Sequence, residues 1–450
     1  TGKELSTVAY EPSRNIISDS AWGDSYGNRS ERYLACVAYL DGKKPSLVMC
    51  RGYYTAAYLC AWDFDGKELK KKWMHASTVK GQGAYGEGAH SLAVGDVDGD
   101  GCDEIVYGAC CIDHDGSLLY RTGLGHGDAL HLGDFIPDRD GLEVFMVHEE
   151  KSAAYGFEMR DACTGEILSG RKMGADIGRG LCADIDSLSR GAEYWSLAKF
   201  NVTADGKYNN ITFDCNGDSI STRRPPVNFR TYWTGNLSEE LQEKGIISQW
   251  VNKTSNCSTL TDFVSTYGCG VNLIKDTPSL QADIFGDWRE ECIYYDEATK
   301  SNLIIFSTPF TSPYRVPCLM HDHIYRMSIC WQNVAYNQPP HLGYYLRDYV
   351  KNQQSNPTGI LQPSITEEQS NIEIPFTLIS EGIVIRYTDM NNTSCNIRVY
   401  SQDGLCVYHT TNKFQGNGEI KLGALEELKK GVYLLSVVAD GVRTVRKIIR

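Results

Sequence analysis

Apolar residues fall along this chain in short runs of strand rather than helix length, and each run stops at a turn signal. Two phrases alternate. The first is a hairpin: WDFDGKEL (62–69), IDHDGSLL (112–119), RDACTGEIL (160–168) and FDCNGDSI (213–220). Their glycines, Gly66, Gly116, Gly165 and Gly217, recur at a step of about fifty residues. Asp-Gly or a similar pair between apolar strands makes a tight turn, because Gly accepts positive φ cheaply. The second phrase is an Asp-rich turn leading into an acidic residue and a strand. It begins at Asp96 (DVDGDGCDEIVY), Asp134 (DFIPDRDGLEVF), Asp184 (DIDSLSRGAEYW) and Asp283 (DIFGDWREECIY), with a looser copy, YLDGKKPSLVM, from Tyr39.

Each unit therefore reads as turn, strand, hairpin, strand, and cannot bury its own faces. Such units must stack on one another. The pattern predicts an all-β fold with a β-propeller over residues 1–350, built from five clear units and a sixth around 225–270. In that sixth unit TGNLSEELQEKG reads as a short helix. Residues 351–370, KNQQSNPTGILQPSITEEQS, have the polar, Pro-bearing composition of a linker. From 371 to 450 short alternating strands resume with turns at SQDG and VADG, predicting a small C-terminal β-sandwich.

GDVDGDGCDEIVYG invites comparison with an EF-hand. Asp96, Asp98, Asp100 and Gly101 fit that loop, but its twelfth position is Tyr107, and EIVYG has the composition of a strand and not of an amphipathic helix. The Asp turns read as blade openers, either Asx turns or structural cation sites. Asp96, Asp98, Asp100 and Glu104, and equally Asp134, Asp138, Asp140 and Glu143, are the candidates for structural calcium.

Charge and cysteine usage narrow the field. A formal net charge of −13 argues against nucleic acid and acidic membranes as partners. No apolar run is long enough to span a bilayer. The 16 Cys would suggest disulfides in an exported chain. Yet Cys50, Cys60, Cys110, Cys111, Cys182, Cys292 and Cys330 sit where small apolar residues of buried strands belong, so free packed thiols are expected. The opening TGKELSTVAYE has no Met and reads as the middle of a strand-and-turn pattern, which predicts sequence upstream.

Several polar clusters do not serve the repeat. They are His90 in GEGAHSL, His126, Asp128 and His131 in GLGHGDALHLGD, His148 and Glu149 in FMVHEEKS, Arg179 in GADIGRGLCAD, Lys275 in GVNLIKDTP, and Trp331, Asn333, Tyr336, Asn337 and His341 in CWQNVAYNQPPH. Each has an ordinary structural reading as well. A lone buried His needs only a hydrogen-bond partner, an Arg beside a turn is usually an ion-pair donor, and the run 331–341 reads equally as a closing strand.

Taken together, residues 20–349 resemble the polysaccharide lyase family 11 rhamnogalacturonan lyases. The phrases that carry the resemblance include WGDSYGNRSERYLACVAYLDG, RGYYT, DVDGDGCDEIVYG, GLGHGDALHLGD, GLEVFMVHEEKSAAYG, GRGLCADID, LQADIFGDWREE and MHDHIYRMSICWQNVAYNQPPHLGYYL. The resemblance implies an eight-bladed propeller with bound Ca²⁺, its N-terminal blades missing from this sequence. It implies β-elimination at galacturonate in rhamnogalacturonan I, the branched pectic polysaccharide. That reaction removes the C5 proton of a uronate and expels the C4 oxygen, so it needs a cation or Arg to neutralise the carboxylate and a basic group to take the proton. By resemblance His90, His126, Asp128 and Glu149 match a substrate-site calcium cluster, although ligand softness alone would admit Mn²⁺ or Zn²⁺. Lys275 matches the base and Arg179 the carboxylate or oxyanion partner. Tyr336 matches a sugar-contacting tyrosine, with Asn272 and Asn337 as further sugar contacts. NLIK replaces the more usual NGTK, so Leu273 and Ile274 are expected to reshape a subsite. The short stretch EILSGRKMGADIGRG before Arg179 favours endo action.

NIRVYSQDG and GVYLLSVVADGVRTVRKIIR resemble type IX secretion sorting domains. That implies a bacterial protein, secreted or held at the cell surface, which meets a secretion machinery; a monomer is expected. The rival class is a non-catalytic calcium-bearing propeller for adhesion or glycan binding. The non-repeating set Arg179, Lys275, Tyr336 and His126 discriminates between them, since a binding propeller needs no lysine and arginine beside a metal cluster.

Overall fold

The computed structural model describes residues 2–14, 22–24, 29–200, 210–272, 275–355, 376–379, 382–401, 406–422, 432–439 and 442–449. The chain divides into two compact units, Thr1–Gln354 and Ser355–Arg450.

Strands dominate the first unit because its apolar residues alternate or cluster in short runs between turns. Tyr33–Ala38 buries every second side chain, whereas Ala93–Gly95 and Leu130–Gly133 are buried on both faces. Pairing is antiparallel and groups the strands into six four-stranded sheets in chain order. The first holds Tyr33–Ala38, Ser46–Arg51, Ala57–Phe64 and Leu69–Ser77. The second holds Ala93–Gly95, Glu104–Val106, Cys110–Ile112 and Leu118–Arg121. The third runs from Leu130–Gly133 to Ile167–Arg171, and the fourth from Gly180–Ala183 to Ser219–Ser221. The fifth runs from Phe229–Thr231 to Asn256–Asp262, and the sixth from Cys269–Gly270 to Leu303–Phe306. Burial falls from first strand to fourth in the third sheet, where Leu130–Gly133 is fully buried and Ile167–Arg171 only half-buried.

One device repeats through the sheets. The acidic residue opening the strand that follows each Asp turn, or its counterpart in the fifth sheet, is buried and turns back to accept N–H groups of that turn. Glu143 takes those of Phe135 and Ile136, Glu193 those of Ile185 and Asp186, Glu240 those of Trp233 and Thr234, and Glu291 those of Ile284 and Phe285. Glu104 takes that of Val97. The acidic residue of the sequence repeat is thus a clamp that closes each turn.

This clamp overturns the helix expected in TGNLSEELQEKG. Glu240–Glu243 is a strand. Leu237 and Lys244 adopt φ of 71° and 56°, which no α-helix accommodates. The expected linker also shifts. Helix α3, Leu346–Ser355, covers its first five positions, and 356–370 lie outside the described residues. Cys330 is no strand residue: it is exposed on α2, His323–Trp331, whose N-terminus is capped by Asp322. The run from Trp331 to His341 is accordingly a helix end and a loop, not a closing strand. Helix α1, Phe263–Tyr267, is capped by Asp262 and ends on left-handed Gly268. The fifteen cysteines with described side chains are all free, and all but Cys330 are buried or half-buried.

In the second unit the described strands Phe376–Ile379, Gly382–Tyr400, Cys406–Leu422, Val432–Ala439 and Val442–Ile449 pair into one five-stranded antiparallel sheet. The long strand Gly382–Tyr400 pairs with Cys406–Leu422 and also with Phe376–Ile379 and Val432–Ala439. Among the described residues these strands form one hydrogen-bonded sheet.

Candidate active site

Four loops meet ahead of the first strands of the second and third sheets. Ala89 bridges Gly127, and the His90 amide donates to the Gly127 carbonyl at 3.1 Å. The Tyr336 amide in turn donates to the His90 carbonyl at 3.0 Å. These backbone bonds bring His90, His126, Asp128 and Tyr336 together from distant parts of the chain. Glu149 joins them from the end of strand Glu143–Val147, its amide donating to the His126 carbonyl.

The donor atoms of His90, His126, Asp128 and Glu149 all lie within 4.8 Å of one another. His126 Nδ1 lies 2.5 Å from the Gly88 carbonyl. A carbonyl only accepts, so Nδ1 carries a proton, and in the neutral ring the lone pair is then on Nε2. That Nε2 is buried without a partner, 3.6 Å from Glu149 Oε1, and Asp128 Oδ1 is likewise unpartnered. Lone pair facing carboxylates is an arrangement that a cation relieves, so the residues present fit a divalent ion. His90 is held at both ring nitrogens, by Tyr53 Oη at 3.0 Å and Tyr54 Oη at 2.8 Å, and its Nε2 lies 3.3 Å from Asp128. Burial pushes its pKa down to about 3, so the ring is neutral and able to ligate. Burial pushes Asp128 up to about 7 against the pull of Lys275.

Basic groups border the cluster. Lys275 Nζ lies 3.3 Å from Asp128 Oδ2 and 4.4 Å above the Tyr336 ring, which stacks on His90 at 4.1 Å. Lys275 is carried by a tight turn in which the Asp276 amide donates to the Asn272 carbonyl and the Asn272 amide to the Thr277 carbonyl. Leu273 and Ile274 lie outside the described residues. Arg179 is buried. Its Nε donates to Asn228 Oδ1 at 2.9 Å, while Nη1 has no partner. Burial lowers its pKa to about 10, while Asp128 and Tyr336 pull the other way.

Some expected residues fall elsewhere. Asn337 is buried and spends its amide on the Pro278 carbonyl, bracing the Lys275 loop rather than facing a sugar. Asp134, Asp138, Asp140 and Glu143 do not assemble as a calcium site among the described residues. Arg139 explains why: it donates to both Glu143 and Asp161, while Asp138 pairs with Arg190 and Asp134 accepts from the Tyr345 amide. The chain supplies its own cation there. Asp96, Asp98 and Glu104 do converge. His148 and His131 are structural, bonded to the Gly125 and Gly180 carbonyls.

Sequence reasoning missed Tyr53, Tyr54 and Asn228. The adjacent aromatics of RGYYT were the available signal. Asn228 offered none, because its role depends on its neighbour across two sheets.

A cluster of side chains that could hold a cation thus lies beside a lysine and a buried arginine on a β-sheet scaffold. The chain belongs to rhamnogalacturonan lyase family 11: residues 1–356 match the family model described as "Rhamnogalacturonan lyase family 11, C-terminal domain". Residues 366–450 match the "Secretion system C-terminal sorting domain". Rhamnogalacturonan endolyase YesW of Bacillus subtilis (strain 168) is 45% identical over 355 residues, covering 78% of this chain and 54% of that protein. Rhamnogalacturonan exolyase YesX of the same organism is 48% identical over 361 residues, covering 78% and 58%. Among solved structures, that of rhamnogalacturonan lyase YesW superposes with a TM-score of 0.71 at 45% identity, covering 77% of this chain and 57% of that one. The Bacillus licheniformis lyase gives 0.70 at 48% identity, covering 77% and 56%. The chain thus spans little more than half the length of the relatives it matches.

Proposed function

We propose that the protein is a secreted lyase that cleaves rhamnogalacturonan I by β-elimination at galacturonate. The observation that carries this reading is the pairing of Lys275 with Asp128 of the His90–His126–Asp128–Glu149 cluster, with buried Arg179 feeling the charge of the same Asp128. Those four residues would hold Ca²⁺, which when bound would neutralise the uronate carboxylate and so acidify the C5 proton. Lys275 Nζ, already within reach of Asp128, takes that proton in its neutral form. Arg179, with one guanidinium nitrogen unpaired, offers charge to the carboxylate as it becomes enolate-like. Tyr336 presents a ring edge to the sugar and steadies Lys275 by its π face. Asn272 frames the same loop.

The six sheets read as blades of the propeller whose family form has eight. The connection between strands Ile167–Arg171 and Gly180–Ala183 is short, and this favours endo action. The sorting-domain match supports export to the cell surface or beyond. A purely adhesive propeller gains no support, since it would not need the Lys275–Asp128 pairing.

The test is to mix the full chain with rhamnogalacturonan I and Ca²⁺ and follow the ultraviolet absorbance of unsaturated uronate. Lys275→Ala is expected to lower the rate by about 10²–10⁴. No absorbance rise from the wild type would refute the reading, and full activity in Lys275→Ala would refute the choice of base. A fast fall in viscosity at low conversion distinguishes endo from exo cleavage.

A further inference from the structure

We propose that Asn228 and Glu243 are positioning residues for the elimination: through a relay of two hydrogen bonds they orient the Arg179 guanidinium toward the uronate carboxylate. The inference deepens the lyase reading above and rests on it.

Arg179 is only 4% exposed. Among the described residues the hydrogen bonds of its side chain all go to Asn228. Nε donates to the Asn228 side-chain oxygen at 2.9 Å and Nη2 to the Asn228 backbone carbonyl at 3.4 Å. These two donors share one edge of a planar group, so a single residue fixes its tilt. Nη1 is left buried and without a partner. Burial lowers the Arg179 pKa, and the charges of Asp128 and then Glu243 oppose that effect.

Asn228 is in turn oriented from its other side. It is buried, and its amide nitrogen donates to Glu243 Oε1 at 2.6 Å. A guanidinium only donates, so the Asn228 oxygen must face Arg179 and its NH₂ must face Glu243. The flipped amide would set donors against donors at one end and acceptor against acceptor at the other. Burial raises the Glu243 pKa, against Lys244, the Val227 amide and Arg179. In either protonation state one carboxyl oxygen can accept from Asn228, so the relay needs an acceptor at Glu243 rather than a full charge.

The fold presets this relay. Phe229 pairs with Gln242 where strands Phe229–Thr231 and Glu240–Glu243 meet, which sets Asn228 opposite Glu243 one step along the ladder. The turn after Glu243 is held on two sides. Lys244 and Gly245 adopt φ of 56° and 75°, and the Gly245 carbonyl accepts the Phe263 amide at 2.8 Å. On the other side the Lys244 amide donates to the carbonyl of Asp276, the residue after Lys275, at 3.0 Å. One turn therefore holds both the acceptor that orients the Arg179 relay and the loop that carries Lys275. An arginine meant to meet charge as it develops gains from such fixing, since a displacement of about 1 Å can cost about a hundredfold in rate.

The experiment uses the full chain with rhamnogalacturonan I and Ca²⁺ in the uronate assay, alongside NMR of the Arg179 Nε–H, assigned by its disappearance in Arg179→Lys. Glu243→Ala and Asn228→Ala are each expected to lower kcat by about tenfold to a hundredfold, with KM changed by less than about threefold. Glu243→Gln still offers Asn228 an acceptor oxygen and should restore most of the kcat. The two alanine substitutions together should cost little more than either alone, because they break one relay. A purely structural role would instead lower the melting temperature and leave kcat per folded molecule unchanged. The Nε–H should exchange slowly with water in the wild type and in Glu243→Gln, and about tenfold faster or more in Glu243→Ala. Full kcat in Glu243→Ala, equal losses in the Ala and Gln variants, or Nε–H exchange indifferent to Glu243→Ala would each overturn the proposal. A wild type that yields no unsaturated uronate refutes the lyase reading instead. The exchange measurement needs no substrate and still decides whether Glu243 holds Arg179.

Discussion

Glu240 offers the sharpest test of how the sheets are held. Its buried carboxylate accepts the Trp233 amide at 2.8 Å, the Thr234 amide at 3.1 Å and the Thr234 hydroxyl at 2.6 Å. Glu240→Ala leaves two backbone donors without an acceptor, while the half-buried hydroxyl can turn away. At about 1–3 kcal/mol for each orphaned donor, the loss is about 2–6 kcal/mol. Glu240→Gln keeps an acceptor oxygen in place. Because burial raises the Glu240 pKa to about 7, the wild-type side chain is largely neutral at pH 6 and the amide imitates it. The folded pKa exceeds the unfolded one, so the proton's contribution is complete below about pH 4.5 and is lost as pH rises through 7. At pH 8.5 the Gln variant should therefore match or exceed the wild type. The two units need not unfold together, so hydrogen exchange of the segment 229–243 is a better assay than a global melt. At pH 6 the Ala variant is expected to lose at least thirtyfold in protection, the equivalent of about 2 kcal/mol, and the Gln variant less than fivefold. Equal losses in the two variants, or a loss below threefold in the Ala variant, would refute the clamp.

Tyr336→Phe should retain most activity, because the ring that stacks on His90 and supports Lys275 remains; Tyr336→Ala should lower kcat/KM by at least tenfold in the uronate assay. Burial raises Glu193 to about 8 and Glu291 to about 7, so with Glu240 they cost stability as pH rises, each by at most about 1.4 kcal/mol per unit. His131, pushed down to about 3, opposes them only below about pH 6.5. The melting temperature of the metal-free chain is therefore expected to fall between pH 6.5 and 8, and a rise across that interval would contradict these burial effects. Thiol titration of the folded chain should find Cys330 reacting fast and the buried cysteines only after denaturation, with reductant leaving the melt unchanged.

Much of the scaffold is legible in local chemistry. The Asp-Gly hairpins and Asp turns recur in sequence because each sheet needs the same tight reversals, and these depend on neighbours a few residues apart. Where local propensity and packing disagreed, packing prevailed. TGNLSEELQEKG has the composition of a helix, yet Glu240 closes a turn and its segment pairs with Phe229–Thr231. Cys330 sits among apolar neighbours yet faces outward, because helical spacing, not alternation, governs Met327 to Trp331.

The candidate site divides in the same way. Sequence alone named His90, His126, Asp128, Glu149, Arg179, Lys275 and Tyr336 as residues outside the repeat, and their types suggested cation and base chemistry. Only the tertiary structure decided which of them meet, because the bonds that join them, such as Tyr336 to His90 and Lys275 to Asp128, cross more than a hundred residues of chain. It also decided that Asn337 braces a loop and that Arg139 joins Glu143 to Asp161. The physical reason is range: a turn is chosen by its own few residues, whereas an unpaired charge is recognised only once burial has removed the water that would have satisfied it.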